Sequence, residues 1–381
     1  MKPRLYTPGP TPVPEQVNLK IIEPVIHHRT KEFRDLFARI QAKLQYVFQT
    51  QEDVFVLASS GTGAMEAAVA NFLSRSDRAL TIEGGKFGER WGELCEAYGI
   101  AVHRHKLGSG CSCELKELEE LLRKDPGYDA IFLTHCETST SGVLDLQAVA
   151  EVIHRNSTAL IVVDGITSVG VLPMKMDEWG IDVVVSASQK AFRCPTGLAF
   201  IACSEKAWAA VESSDLPRYY FDMSKMKGSL ANQNTPFTPA TSLLFGLDEA
   251  LKMMHDEGIE NIWEKHRMLG AAFRSAVESL GLEIFSENPS DSLTAIKIPD
   301  SLLEQNLVRL LKDKGCVVAG GQGELKNRIF RISHMGYCNA DDLLAVLSAL
   351  GQVLISCGWP VKPGMAAAKF QQMLTSNSGN A

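Results

Sequence analysis

The sequence predicts an α/β fold in which a large domain with a mainly parallel sheet precedes a smaller α+β C-terminal domain. Strand-like β-branched segments alternate with amphipathic segments from position 54 to position 164, which is typical of a parallel sheet covered by helices on both faces. The run Val183-Val184-Val185 indicates a further buried strand. After position 203 the alternation loosens, and shorter strand and helix patterns return between positions 282 and 350.

The individual elements follow from the spacing of apolar residues, with a period near 3.6 for helices and short apolar or alternating runs for strands. In the large domain we predict helices at 32–48, 65–72, 87–98, 115–123, 146–154 and 242–255, and a further helix at 262–280 opens the small domain. We predict strands at 54–58, 78–83, 101–106, 130–135, 159–164, 183–185 and 197–203. Towards the C-terminus we predict strands at 282–285, 293–298, 317–318 and 329–333, and helices at 302–312 and 341–355. Residues 213–240 contain few aliphatic side chains and predict a long irregular segment.

The domain boundaries follow from shifts in composition. Five prolines between positions 3 and 14 exclude a helix or a central strand. We therefore predict an N-terminal arm over 1–15 that packs with the active site or the small domain. The large, cofactor-binding domain is predicted over 16–258 and the small domain over 259–358. The small and polar residues at the C-terminus predict a mobile tail over 359–381.

Composition excludes several classes of function. The chain has 381 residues, a net charge of -7 and 45% hydrophobic residues, so neither nucleic acid nor an anionic membrane surface is an expected partner. No apolar run approaches the roughly 18 residues of a membrane helix, and no signal-peptide core is recognisable. Nine scattered cysteines favour a reducing, cytoplasmic compartment. The pair Cys111-x-Cys113 lacks further ligands at metal spacing, so we expect no metal site.

Functional side chains are expected where the parallel strands end, because ligands bind at that edge of an α/β sheet. Ser59-Ser60-Gly61-Thr62-Gly63 lies between a predicted strand and a predicted helix. Backbone N–H groups and the helix dipole make such a turn suitable for a phosphate group. The turn lacks the G-K-[ST] ending of a P-loop, and many turns in α/β proteins resemble it. It therefore indicates a phosphate site only in combination with other signals.

Three other strand ends carry suitable chemistry. Asp164 follows the strand Ile161-Val162-Val163, where it is either an ordinary turn residue or an anion held against a cationic ligand group. Residues 137–142 are rich in hydroxyl groups, and Phe87 follows another strand, where it either packs in the core or stacks on a ligand ring. Lys190 lies just past the strand at 183–185. It is either a surface lysine or an amine that forms a Schiff base with a carbonyl cofactor.

With these loops in order, the chain resembles the class V aminotransferases of the type I pyridoxal-phosphate fold, and most closely the alanine–glyoxylate, serine–glyoxylate and serine–pyruvate aminotransferase family. Any one matching segment is weak evidence, but eight of them occur in the order of the family. They are T-P-G-P-T-P-V-P (7–14), S-S-G-T-G-A-M-E-A-A (59–68), G-K-F-G-E-R-W (85–91), H-C-E-T-S-T-S-G-V (135–143), V-D-G-I-T-S-V-G (163–170), D-E-W-G-I-D-V-V-V-S-A-S-Q-K (177–190), P-T-G-L-A-F (195–200) and F-R-I-S-H-M-G (330–336).

The resemblance implies a role for each matching residue. Lys190 would hold pyridoxal 5′-phosphate as a Schiff base and move a proton, and Asp164 would pair with the pyridinium nitrogen. Arg331 would bind the substrate carboxylate. The other implied contacts are all to the cofactor: phosphate binding by Ser60, Gly61 and Thr62 with Gln189, ring contacts by Phe87 and Ile166, a hydrogen bond from Thr138 to the phenolic oxygen, and a phosphate contact across a homodimer by Thr238, with Thr235 as a weaker candidate.

The resemblance implies a ping-pong transaminase that moves an amino group from alanine or serine to glyoxylate or pyruvate. Related class V enzymes are the alternative, above all ureidoglycine–glyoxylate and 2-aminoethylphosphonate–pyruvate aminotransferases. Gln189 argues against a cysteine desulfurase, because those enzymes carry histidine immediately before the lysine. A non-catalytic protein with the same fold would be expected to have lost Lys190, Asp164 or Arg331, and all three are present.

Overall fold

The computed structural model describes residues 3–378. The elements up to the end of the large domain are β1 (Arg4–Leu5), α1 (Glu15–Ile21), α2 (Lys31–Phe48), β2 (Val54–Leu57), α3 (Gly61–Phe72), β3 (Arg78–Glu83), α4 (Lys86–Ala97), β4 (Ala101–Lys106), α5 (Leu115–Lys124), β5 (Ala130–Thr134), β6 (Cys136–Glu137), β7 (Gly142–Val143), α6 (Leu146–Asn156), β8 (Leu160–Asp164), β9 (Val183–Ala187), β10 (Ala199–Cys203), α7 (Glu205–Ser213), α8 (Met223–Leu230) and α9 (Thr241–Glu257). The remaining elements are α10 (Ile259–Ser279), β11 (Leu293–Lys297), α11 (Leu307–Asp313), β12 (Cys316–Val317), β13 (Ala319–Gly320), β14 (Ile329–Ser333), α12 (Ala340–Ser356) and α13 (Met365–Ser378), with 3₁₀ turns at Asp300–Gln305 and Gly323–Leu325.

The large domain is built on a seven-stranded sheet in the order β2-β10-β9-β8-β5-β3-β4. Neighbouring strands from β9 to β4 are parallel, whereas β10 is antiparallel to both β9 and β2. Since β2 therefore runs in the same direction as β9, six of the seven strands end at one edge. This arrangement confirms the predicted mainly parallel sheet, and it places residues 59–63, Asp164 and Lys190 along one edge.

The central strands are apolar because helices cover both faces of the sheet. All five residues of β5, of β8, of β9 and of β10 are buried. Helix α2 begins at Thr30, whose side chain accepts a hydrogen bond from Phe33 N, and it buries a stripe that includes Phe33, Ile40 and Phe48. These side chains belong to one large apolar cluster that extends along the chain from Val17 to Trp263.

The small domain has a core of its own. An antiparallel sheet in the order β11-β14-β13 packs with α10, α12 and α13, and Phe273, Phe330 and Phe370 are fully buried in a second cluster. The arm joins this domain because β1 pairs in parallel with β12. Two separate clusters support two domains, and the boundary between residues 258 and 259 stays a prediction.

The structure corrects three expectations. The predicted mobile tail contains helix α13, because Ala366 and Phe370 form a short apolar stripe that packs into the second cluster; residues 379–381 lie outside the described residues. The irregular segment 213–240 contains helix α8, which Asp222 caps through hydrogen bonds from Ser224 N and Lys225 N. The strand predicted at 282–285 is reduced to a single bridge between Ile284 and Ile296.

Within residues 3–378, no helix combines the length and the apolar character that a membrane span requires.

Candidate active site

Lys190 lies beneath the N-terminal arm at the edge where the parallel strands end. Its Nζ donates a hydrogen bond to the main-chain oxygen of Pro8. Thr11 holds the arm in place, because its N–H donates to Gln189 O at 3.1 Å and its Oγ1 donates to Lys190 O at 2.9 Å. Gly9 has φ +142°, and a Cβ atom there would lie 2.5 Å from Lys190 Nζ. The arm therefore needs glycine at this position to pass so close to the lysine.

Lys190 is half-buried and Asp164 is buried, and their opposite charges act on each other. Burial lowers the pKa of Lys190 to about 8, although the Asp164 carboxylate opposes this shift and the Arg331 and Arg90 guanidinium groups add to it. Burial raises the pKa of Asp164 to about 7, against the hydrogen bond that Ile166 N donates to Asp164 Oδ1 at 2.8 Å. Burial thus brings the pKa values of both groups close to neutral pH, which is characteristic of functional sites.

The predicted phosphate turn lies at the start of helix α3. Ser60 is the N-cap residue, with φ −83° and ψ 167°, and its side chain forms no capping hydrogen bond. Gly61 packs against Ile166, because a Cβ atom at Gly61 would lie 2.5 Å from Ile166 Cδ1. Gln189 is also predicted to bind the phosphate. Its Oε1 is buried without a hydrogen-bond partner among the described residues.

The hydroxyl-rich loop is organised by a buried carboxylate that the sequence analysis missed. Glu137 Oε2 accepts hydrogen bonds from Phe87 N at 3.0 Å and from Gly88 N at 2.9 Å. Its Oε1 accepts from Ser139 N at 3.0 Å and from Ser139 Oγ at 2.5 Å. The carboxylate therefore caps helix α4 and fixes Phe87 relative to the loop that carries Thr138. Thr138 Oγ1 shares a hydrogen bond of 2.7 Å with Thr167 Oγ1.

Arg331 reaches the same loop from the central strand of the small sheet. Its Nε and Nη2 donate to Gly320 O at 3.1 and 2.7 Å, and its Nη1 donates to Thr138 O at 2.8 Å. A guanidinium group has five N–H donors, so one donor on Nη1 and one on Nη2 remain for a further acceptor. Burial lowers the pKa of Arg331 to about 10, while the Glu137 carboxylate opposes the shift. A substrate carboxylate would supply the counter-charge that this buried cation needs.

Two further groups near Lys190 were not predicted from the sequence. Arg90 Nη1 donates to Thr62 Oγ1 at 3.1 Å, and its guanidinium lies 5.0 Å from the centre of the Phe87 ring. Cys136 is buried and donates from Sγ to Ser290 Oγ at 3.2 Å. The sequence indicates Arg90 through its position in G-K-F-G-E-R-W, one helical turn after Phe87.

The structure does not bring Thr238 into this cluster. Thr238 is exposed and lines a groove with Ala58 and Pro236. Thr235 is buried, and its Oγ1 donates to Phe237 O at 2.8 Å. The predicted contact of Thr238 or Thr235 with the phosphate of a partner subunit therefore stays a prediction.

The assembled residues fit pyridoxal 5′-phosphate. The phosphate turn, the buried Asp164 and the half-buried Lys190 lie along one sheet edge, which matches the phosphate, ring nitrogen and carbonyl group of this cofactor. The Asp164 carboxyl group is buried, and a pyridinium nitrogen is a suitable partner for it. The unpartnered Gln189 Oε1 is a polar atom that the protein itself does not satisfy. Among residues 3–378, no group of three or more His, Cys, Asp or Glu side chains is arranged to hold a metal ion.

Three curated relatives cover nearly the whole chain. The chain is 41% identical to a protein of Synechococcus sp. named soluble hydrogenase, small subunit, over 98% of this chain and 99% of that protein. It is 33% identical to an L-aspartate–glyoxylate aminotransferase of Paracoccus denitrificans, over 97% and 95% of the two chains. It is also 33% identical to a serine–glyoxylate aminotransferase of Methylorubrum extorquens, over 98% and 96%.

The fold and the family model agree with these relatives. The crystal structure of ureidoglycine–glyoxylate aminotransferase from Bacillus subtilis superposes with a TM-score of 0.92 at 26% identity, over 98% of each chain. This similarity confirms the type I fold of pyridoxal-phosphate enzymes. The model of the family described as aminotransferase class-V matches residues 7–344. The chain therefore belongs to the class-V aminotransferase family, whose members depend on pyridoxal 5′-phosphate.

Proposed function

We propose that this aminotransferase moves the amino group of alanine or serine to glyoxylate or pyruvate by a ping-pong mechanism. The observation that carries the proposal is the donor pair left on Arg331, which is fixed to Thr138 next to the Lys190 and Asp164 pair. A guanidinium group with two parallel N–H donors binds a carboxylate in a bidentate manner. Amino acids and 2-oxo acids share this carboxylate, so one Arg331 serves both half-reactions.

Lys190 is proposed to hold the cofactor and to move the proton. Pyridoxal 5′-phosphate, when bound, supplies a carbonyl carbon for the amino group and a ring that withdraws electrons. Lys190 Nζ would take the proton from the substrate Cα and deliver it to the former carbonyl carbon of the cofactor, and it would move a proton the other way in the opposite half-reaction. Its pKa of about 8 suits this task, since a general base works best when its pKa lies near the working pH. The arm above Lys190 limits the access of water to Nζ.

The other residues are proposed to hold and orient the cofactor. Asp164 binds the pyridinium nitrogen, and Thr138 donates to the phenolic oxygen. Phe87 and Ile166 would pack on the two faces of its ring. The groups proposed to hold the phosphate are Ser60, Gly61, Thr62 and Gln189 from one subunit and Thr238 from the other.

The choice of small donors is supported by the engagement of two other arginines. Arg193 pairs with Glu257 at 2.9 Å. Arg29 is exposed and donates to Thr235 O at 3.1 Å. Arg193 is therefore not free to bind the second carboxylate of a dicarboxylate donor such as aspartate, and Arg29 is bonded to a main-chain oxygen of the segment that carries Thr238. Arg90 is the other guanidinium whose charge acts on Lys190, and its hydrogen bond leads to the phosphate turn instead.

A ureidoglycine–glyoxylate aminotransferase is the second candidate. It is supported by the similarity to the Bacillus subtilis enzyme of that name. The 2-aminoethylphosphonate–pyruvate reaction is a weaker candidate, because a phosphonate calls for additional cations at the substrate position.

We also propose a cytoplasmic homodimer with composite active sites. Thr238 lies on the same exposed side of the large domain as the aromatic side chains Tyr219 and Tyr220, which contact Phe237. A partner subunit would cover these rings and bring Thr238 to its phosphate. Light scattering after size exclusion should give twice the mass of 41.7 kDa, and a monomer at micromolar concentration would contradict the composite site.

The substrate proposal is tested by half-reactions with single amino donors. Purified protein loaded with cofactor is mixed separately with L-alanine, L-serine, L-aspartate and ureidoglycine, and the cofactor absorption is followed. We expect it to change with alanine or serine and to be restored by glyoxylate or pyruvate. A change with aspartate alone, or with ureidoglycine alone, would exclude the proposed donors and identify the other class.

A further inference from the structure

The residues proposed to hold the cofactor phosphate are all uncharged. They are Ser60, Gly61, Thr62, Gln189 and Thr238. A phosphate monoester carries a charge of about −1.5 to −2 at neutral pH, while the N-terminus of a helix supplies only about half a positive charge. The proposed set therefore leaves most of the phosphate charge without a counter-charge.

Arg90, in contrast, is a cation for which the described residues provide no anionic partner. It is half-buried in helix α4, and in the part of the chain that the structure describes it forms no ion pair. Its neighbours Glu83 and Glu89 are already engaged, by Arg104 at 2.7 Å and by Lys86 at 2.5 Å respectively. A partly buried guanidinium with five donors and one hydrogen bond is expected to have an anionic partner.

The position of Arg90 indicates which anion this is. Nη1 lies 3.1 Å from Thr62 Oγ1, in the second residue of helix α3, whose first N–H groups form the phosphate turn. The guanidinium lies 5.0 Å from the centre of the Phe87 ring, which is proposed to stack on the cofactor. Its charge also acts on Asp164 and on Lys190. Arg90 thus lies between the turn and the ring site, whereas the Arg331 donors lie at the other end, beside Thr138.

We propose that Arg90 binds the cofactor phosphate and supplies its main counter-charge from within the same subunit. The hydrogen bond to Thr62 orients the guanidinium, and its remaining donors would bind the phosphate beside the N-terminus of helix α3. This inference rests on the proposed position of the cofactor, but it does not depend on which amino acid is the donor.

The test compares two ligands that differ only in the phosphate group. Cofactor-free wild-type protein, Arg90→Gln and Arg90→Lys are titrated with pyridoxal 5′-phosphate and with pyridoxal, and binding is followed by the quenching of tryptophan fluorescence. We expect Arg90→Gln to weaken binding of pyridoxal 5′-phosphate by about 10- to 100-fold. Pyridoxal should change by less than about twofold. Arg90→Lys should lose less affinity than Arg90→Gln, because a charge remains without the planar fork.

The matched control is Arg123→Gln, which removes an exposed arginine from helix α5 and should change neither affinity. Equal losses for both ligands would overturn the proposal, because they would indicate a structural role of Arg90. Unchanged binding of pyridoxal 5′-phosphate would also overturn it. If Arg90→Gln does not fold, the affinities of Arg90→Lys and wild type for the two ligands are compared instead, and the same outcomes support or overturn the proposal.

The proposed substrate is tested independently of this experiment. The titrations contain no amino donor, so a wrong choice of alanine or serine leaves their outcome unchanged. Conversely, alanine or serine could be confirmed as the donor while both Arg90 variants still prefer pyridoxal 5′-phosphate over pyridoxal as strongly as wild type does. That result would overturn only the proposed role of Arg90.

Discussion

Arg331 Nη1 donates a hydrogen bond of 2.8 Å to the main-chain oxygen of Thr138, although 193 residues separate the two positions in the sequence. This bond connects the central strand of the small domain to a strand-end loop of the large domain. It fixes the guanidinium at one end of the candidate site. The proposed position of the substrate carboxylate therefore depends on how the two domains pack.

Replacement of Arg331 by lysine should damage substrate binding while sparing the cofactor. Lysine cannot donate in a bidentate manner, so we expect kcat/KM for the preferred amino donor to fall by about 100-fold or more. The control substrate is alaninol, which lacks the carboxylate and should react equally slowly with wild type and Arg331→Lys. An equal loss for both substrates would show that Arg331 acts on the fold and not on the carboxylate.

Lys190 should be the residue that binds the cofactor covalently. Lys190→Ala should no longer yield a borohydride-reduced, covalently attached cofactor, which mass spectrometry detects as an added mass on the peptide. The control is Lys86→Ala, which removes an exposed lysine near the site and should retain the attachment. Covalent cofactor in Lys190→Ala would refute the assignment.

Asp164 should make the cofactor-free protein less stable as pH rises. Its pKa of about 7 exceeds the ordinary value of 3.8, so between these values the folded state holds a proton that the unfolded chain has lost. The contribution of Asp164 to the free energy of unfolding therefore falls as pH rises from 4 to 7. Asp164→Asn removes this loss, and we expect cofactor-free Asp164→Asn to gain roughly 1–3 kcal/mol over wild type at pH 8.

Urea unfolding at pH 5 and pH 8 measures this difference. The gain should be smaller at pH 5, where Asp164 is mostly protonated in the folded state. The same variant should bind the cofactor more weakly, since it lacks the anion for the pyridinium nitrogen. A gain that is the same at both pH values would show that the charge of Asp164 is not its cause.

Gly9→Ala should slow the attachment of the cofactor. The added Cβ would lie 2.5 Å from Lys190 Nζ and 2.6 Å from Lys190 Cε, so either the arm or the lysine has to move. We expect the absorption of the attached cofactor to appear at least several-fold more slowly after mixing, as stopped-flow spectroscopy can measure. Gly351→Ala in helix α12 is the control, because a Cβ there has no heavy atom within 4 Å. Equal rates in both variants would contradict the close approach of the arm.

Glu137→Gln should weaken the link between helix α4 and the hydroxyl-rich loop. The two carboxylate oxygens both accept hydrogen bonds, and an amide must turn its NH₂ group towards donors on one side. We expect the free energy of unfolding to fall by about 2–4 kcal/mol. We also expect KM for the preferred amino donor to rise, because the loop that carries Thr138 then holds Arg331 less firmly.

Glu283→Gln is the matched control, since Glu283 is exposed and pairs with Lys297 at the surface. It should change neither the stability nor KM. A KM of Glu137→Gln that matches wild type would limit Glu137 to a role in stability.

Strand-end residues were predictable because parallel strands impose a simple geometry. A β-branched run followed by Asp164 or by Lys190 places both side chains at the same sheet edge, whatever the rest of the chain does. Helix α13 was missed for the opposite reason. Its apolar side chains are few, and Phe370 becomes buried only because α10 and α12 provide a surface for it.

The sequence by itself determined the fold class, the family and the order of the strand-end motifs, because these depend on local patterns of residue type. Tertiary structure alone decided that Pro8 accepts a hydrogen bond from Lys190, that Glu137 holds Phe87, and that Arg90 faces the phosphate turn. Each of these contacts joins segments far apart in the chain. Their formation depends on sheet order and domain packing, so no local pattern could have specified them.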